Sequence, residues 1–308
     1  MGAPDWTRPT IRLASAGLLP FAVPAVLTAT LWALPGDPAA IICPPAICTG
    51  GAELAARWHL DAGPTGFYTH WMTSALQGDF GNSWRMAQGT PVGELLWTSL
   101  PVTTALVVLS ALWMASPAVL AGLGRLPRAG DGVLRAAGLA PSVLLALLAA
   151  AFVEIRYGAL SHDGFPALLR VGLASLVLAL ADGATSQAVS ATRTVLSEEG
   201  KARYLGIATL RGEGALSNLL PNVLPTLAGY WRGRMLHLLS GAVVVEVILG
   251  VPGLGELLWD GTLLQDFGVV LAAAWAFSWM AACLLLAQAL VEVGVVAAVR
   301  YVPARVVT

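Results

Sequence analysis

Lysine is nearly absent from this chain, with Lys201 the only one in 308 residues. Charged residues make up 11% of the sequence, against about 25% in an ordinary soluble domain. So little charge cannot clothe a globular surface, and a water-soluble fold is excluded. The formal net charge is −1, and no basic stretch is interleaved with aromatics, which removes the electrostatic footprint of a nucleic-acid binder. Three cysteines are too few for a disulfide scaffold or a cysteine-rich metal site. A Walker-type phosphate loop is missing too. Lys201 follows Gly200, but Val195 stands where the first glycine is needed and Ala202 replaces the Ser/Thr. With no HExxH and no nucleophile elbow, bond-making catalysis has no support.

What is present is apolar length. A bilayer core needs about 20 consecutive apolar residues. Six runs meet or approach that length: Leu13–Leu34, Leu95–Gly124, Ala136–Val153, Phe165–Ala191, Asn222–Val245 and Phe267–Val291. The fold class predicted is therefore all-α, a polytopic membrane protein with six transmembrane helices in one domain, 1–308. The first run is too long for a cleavable signal, and Leu-Pro-Gly-Asp-Pro follows it instead of a small-residue cleavage site.

Arginine and lysine set the orientation. With the N-terminus inside, the inner segments hold Arg8, Arg12, Arg125, Arg128, Arg135, Arg193, Lys201, Arg203, Arg211, Arg300 and Arg305. The outer segments hold Arg57, Arg85 and Arg156. Both termini are expected in the cytoplasm. Cys43 and Cys48, in CPPAIC, then fall outside, where a disulfide and two free thiols are equally compatible with the sequence. Cys283 is expected to pack within span six.

The outer segment 36–94 is rich in Gly and Pro, and a short amphipathic helix is expected near Ala52–His59. The second outer loop, 154–164, is brief, and the third, 249–266, carries VPGLGELLWD. Between spans four and five lies SEEGKARYLGIATLRGEGALSNLLP, a charged interruption of an apolar chain. Here Ser197 is expected to cap a short helix, Gly206 to end it or let another backbone approach, and a second short piece from Ala208 to continue towards Leu220, with Pro221 and Pro225 marking entry into span five.

This interruption resembles the cytoplasmic coupling segment of ABC importer permeases, in Ala202, Arg203 and Gly206 and in Leu224-Pro225. Gly200 departs from the pattern, standing where the signature has its acid. LPGDP (34–38), HLD (59–61), GDFGNS (78–83) and EVILGVPGLG (246–255) narrow the resemblance to the B-type subunit of the dipeptide, oligopeptide and nickel permeases. The resemblance covers essentially the whole chain. It implies a type I importer permease fold in the cell's inner membrane and a homologous second permease subunit. It also implies an extracytoplasmic binding protein and two cytoplasmic ATPase subunits that hold the ATP and Mg, while this chain binds no cofactor or metal. Ala202, Arg203, Tyr204, Gly206 and Arg211, within 197–218, are the implied ATPase-coupling residues. Asp37, Asp79, Glu246, Pro252 and Gly253 are assigned to the outer gate or the binding-protein contact. Asp37 and Asp79 are also read as turn-forming acids, and Glu246 alternatively as a snorkelling or loop-bonded acid.

Charges at membrane depth cost roughly 2.5–3.5 kcal/mol each on insertion scales, so they face a cavity or a partner. Arg234, His237 and Tyr230 share one stripe of span five and are read as lining the substrate pathway, where an arginine favours a carboxylate-bearing solute. Arg232 points about 200° away from Arg234 and is paired with Asp182 of span four as a structural charge pair. The alternative is one structural network for all of them. A nickel site assembled from His59, His70, His162 and His237 is a further, weaker alternative, since no ligand spacing supports it.

The leading function is thus an importer permease for peptides or related small solutes, working by alternating access. Metal chelates are an option within the same family. A stand-alone secondary transporter or channel is the rival, and a degenerate sensor subunit a third reading. The sequence shows no inverted repeat, which disfavours the rival.

Overall fold

The computed structural model describes residues 7–42, 50–157, 167–212 and 214–301. Thirteen α-helices account for nearly all of them, and among the described residues there is no β-strand, only one isolated bridge between Asn82 and Pro91. The helices are α1 Thr7–Ala33, α2 Pro38–Ile42, α3 Gly51–Arg57, α4 Gly63–Leu76, α5 Val92–Gly122, α6 Arg128–Ala137, α7 Ser142–Tyr157, α8 Ala167–Leu180, α9 Ala184–Gly200, α10 Arg203–Leu210, α11 Ala215–Leu249, α12 Leu254–Leu263 and α13 Phe267–Tyr301. The all-α expectation holds.

Among the described residues, four stretches are long and apolar enough to cross a membrane: Thr10–Ala33, Val92–Gly122, Leu168–Gly200 and Phe267–Val295. The number rises to six if the bent pairs α6–α7 and α11–α12 each count as one. The bend between α6 and α7 is 85°. α7 alone has 16 residues, roughly 24 Å at 1.5 Å per residue, shorter than a hydrocarbon core of about 30 Å.

The chain divides into two compact units. One comprises 1–16, 105–249 and 283–308, and the other 17–104 and 250–282. In the first unit α11 packs on α7, α8 and α9. Small residues make this close approach possible: Ala146, Ala150, Ala174, Ala184, Ala188 and Ala242 are all buried. Two backbone segments nearly touch, since a Cβ on Gly138 would lie 2.6 Å from the Cα of Gly183. Gly138→Ala is therefore expected to destabilise the chain by about 1–3 kcal/mol, as overpacking against rigid backbone does. Thermal unfolding of the purified variant checks this.

The second unit is built on aromatics. Phe67 is 1% exposed and contacts Trp32, Trp58 and Phe267 at centroid distances of 5.5, 6.0 and 6.0 Å. Phe80 bridges Trp71 and Trp275 at 6.4 and 5.3 Å. α3 supplies the amphipathic helix expected near residue 52, with Leu54 fully buried. Cys43 and Cys48 lie outside the described residues. Cys283, expected to pack inside, is exposed on α13.

Candidate functional site

The charged interruption folds differently from the sequence expectation. Ser197 caps nothing, because α9 runs on to Gly200 and the Ser197 hydroxyl donates back to the carbonyl of Thr194 at 3.0 Å. The chain turns at Lys201 and Ala202, with Ala202 extended (φ −64°, ψ 134°), and α10 begins at Arg203. Gly206 lies inside α10 rather than ending it. Pro221 and Pro225 are likewise interior, since α11 starts at Ala215.

α10 is a short helix with two faces. Leu205 and Ala208 are buried, while Arg203, Gly206, Ile207, Leu210 and Arg211 are exposed, Leu210 to 89%. Tyr204 fixes the helix in place. Its hydroxyl donates to Glu199 Oε2 at 2.8 Å at the end of α9, and accepts from Asn222 Nδ2 at 2.9 Å on α11. Burial, then the bond to Glu199, raises the Tyr204 pKa above its ordinary value. Folding thus favours the neutral phenol. The stability this adds is present below pH of about 10 and is lost as pH rises through the elevated folded value. Tyr204→Phe removes both bonds and is expected to loosen α10 by about 1 kcal/mol. Faster amide exchange confined to 203–210 is the readout.

In the α11 stripe, Arg234 Nε donates to the Tyr230 hydroxyl at 3.1 Å, and its guanidinium sits 5.5 Å from the centre of the Tyr230 ring. These two predicted pathway residues therefore touch. His237 turns elsewhere: its Nε2 lies 3.6 Å from Asp182 Oδ2. The pairing of Asp182 with Arg232 is thus corrected, for the partner is His237, and Arg232 Nε is buried with no hydrogen bond.

The reason is a break in span four. Asp182 (φ 53°) and Gly183 (φ 70°) are both left-handed, a conformation that aspartate tolerates and glycine takes freely. The break puts the Asp182 carboxylate at the start of α7, where Oδ1 accepts from the Ser142 N–H at 3.3 Å. Asp182 N in turn donates to the Ala140 carbonyl at 3.1 Å. A carboxylate at a helix N-terminus is favoured by the helix dipole. Nearby, Arg193 of α9 pairs with Asp131 of α6 and donates to the Leu126 carbonyl at 2.8 Å.

In the segment 36–94, Asp37 Oδ1 accepts from Ala39 N at 3.1 Å and Asp79 Oδ1 from Gly81 N at 2.9 Å, both aspartate turns. Glu246 is 0% exposed, so its carboxylate does not snorkel. Pro252 is exposed and Gly253 buried. The Leu254 N–H at the start of α12 is capped by the Thr103 hydroxyl at 2.7 Å.

The residue that sequence reasoning missed here is Asp266. It is fully buried, and its Oδ2 accepts from the Ser83 hydroxyl at 2.6 Å and from the backbone N–H groups of Trp84, Arg85 and Met86 at 2.9, 3.0 and 3.2 Å. Oδ1 faces Val269 N at 3.4 Å in the first turn of α13. One carboxylate thereby ties the GNS loop to a helix start. Its sequence signal was an aspartate immediately before an apolar helical run.

His59 and His70, distant in sequence, bring their rings to 4.0 Å. Among the described residues no three His, Cys, Asp or Glu could hold a metal ion, and His162 lies outside the described residues. Within the first unit His237 faces Asp182, and within the second His59 faces His70.

The chain as a whole is similar to known transport proteins. The glutathione transport system permease protein GsiC of Escherichia coli (strain K12) is 29% identical over 287 residues, covering 85% of this chain and 89% of that protein. GsiC of Shigella boydii serotype 4 (strain Sb227) matches to the same extent. This chain is a homologue of these transport system permease proteins. No family model matches it. Its apolar helices agree with a multi-pass membrane permease.

Proposed function

We propose that the chain is one of two permease subunits of an ATP-driven importer and that α10 is the element a cytoplasmic ATPase subunit grips. The observation that carries this reading is α10 itself. It leaves Arg203, Ile207 and Leu210 exposed, with Arg211 exposed just beyond its end, while Tyr204 links it to the helices on either side. A push on such a helix is transmitted to α9 and α11 rather than absorbed by a loop. Two ATPase subunits, holding ATP and Mg, would move α10. The homologous second permease subunit would complete the pathway, and an extracytoplasmic binding protein would dock on 36–94 and 251–266. Both termini are cytoplasmic on this reading, and the spans alternate between inward and outward openings.

The pathway is assigned to the α11 stripe around Arg234 and Tyr230. A guanidinium held by a phenol is preorganised for a carboxylate, and the related proteins are named for glutathione, a tripeptide bearing two carboxylates. Peptides or related small carboxylate-bearing solutes are the proposed cargo, with glutathione the first to try. The test is co-expression with the neighbouring permease, ATPase and binding-protein genes, purification, and uptake into proteoliposomes. ATP-dependent uptake by an intact complex supports the proposal. Uptake by the lone chain driven by an ion gradient would replace it with a secondary transporter.

A further inference from the structure

A cavity of about 220 Å³ opens in the outer-segment unit, and the functional reading leaves it unused. Its walls are aromatic, with Trp58, Trp71 and Phe80 among them, and its polar lining includes Arg57, His70 and Asp79. Three of these groups have unspent capacity. Among the described residues Arg57 forms no ion pair or hydrogen bond. Asp79 commits one oxygen to the Gly81 N–H and keeps the other. Trp71 is 8% exposed, and its indole N–H is buried without an acceptor.

We infer that this cavity binds a small zwitterion with an aromatic side group, of the size of a free amino acid. The volume is below the roughly 300–1,000 Å³ of pockets for drug-sized ligands, so a single residue fits better than an extended peptide. Arg57 offers a planar fork to the carboxylate and Asp79 an acceptor to the ammonium. Trp58 and Trp71 supply faces on which an aromatic group stacks and a cation is attracted. His70 stands at the wall with its ring against His59, 4.0 Å away, which orients the imidazole. The site would act as a loading station on the outer side. That purpose rests on the importer reading, but the binding does not.

The experiment is titration calorimetry on the full chain in lipid nanodiscs with L-phenylalanine, its C-terminal amide and its N-acetyl form. L-Phenylalanine is expected to bind saturably, and each analogue at least about tenfold more weakly, the loss of one charge-assisted hydrogen bond. Arg57→Gln should weaken L-phenylalanine by the same factor and leave the amide unaffected. Asp79→Asn retains an acceptor for Gly81, and should weaken L-phenylalanine while leaving the N-acetyl form unaffected. Elution profile and thermal unfolding verify that both variants are folded. Three results would each overturn the site: no saturable binding tighter than about 1 mM, equal binding of all three compounds, or unchanged binding in both variants. If L-phenylalanine binds but ATP-driven uptake fails, only the importer reading falls. If uptake works and nothing binds, only this site falls.

Discussion

Gly206→Asp in the assembled complex is expected to reduce ATP-driven uptake by roughly tenfold or more while the chain stays folded, a coupling loss within the 1–3 kcal/mol range typical between linked sites. The separation of effects is structural. A Cβ built on Gly206 meets nothing within 4 Å, and the residue is exposed inside α10, so a side chain there has open space among the described residues. Gly206→Ala should even stabilise the isolated chain, by about 0.5–1 kcal/mol, because alanine favours a helix interior over glycine. A residue whose enlargement helps its own fold and harms transport is one that a partner approaches closely. Uptake and thermal unfolding, measured on both variants, give the comparison. Equal uptake in wild type and Gly206→Asp would remove the coupling role.

Asp266→Ala is expected to have the largest effect on stability, about 3 kcal/mol or more. Hydrogen bonds to a charged group contribute about 1.5–3 kcal/mol each, though not additively, and the donors left behind would be buried. Four of them, the Ser83 hydroxyl and the N–H groups of Trp84, Arg85 and Met86, converge on one oxygen. Ser83 also accepts from Ala87 N at 2.8 Å, so the loop loses a second layer of order with it. Rapid proteolysis within 78–92, along with a lower unfolding temperature, is the expected signature. Asp266→Asn keeps one acceptor oxygen and should recover part of the loss.

Much of the architecture was legible because the membrane imposes length and low charge. The runs beginning near Leu13, Leu95 and Phe267 reappear as α1, α5 and α13. Less legible was anything that depends on a break. Asp182 looked like a mid-span charge in search of a cation on the next span, and periodicity gave it Arg232. Its left-handed backbone redirects the carboxylate to Ser142 and His237, and nothing local in ALADGAT distinguishes a kink from a continuous helix except the Asp-Gly pair. Ser197 misled for a related reason. A serine before two acids reads as a helix start, yet Ala184–Gly200 is already helical, and Glu199 at its end is used by Tyr204. Of the stripe on α11, spacing of four did place Tyr230 against Arg234, whereas the meeting of His59 with His70 required tertiary structure.

The central claim is that α10 is seated in an ATPase subunit, and Leu210→Cys tests it most directly. Leu210 is 89% exposed, so a short thiol-reactive cross-linker there reports what lies against the helix. In the co-purified complex the account predicts a cross-linked adduct with the ATPase subunit whose yield changes with ATP. A cysteine at 210 that water-soluble maleimide cannot reach and that links to no ATPase would place the helix in lipid, and would contradict the account.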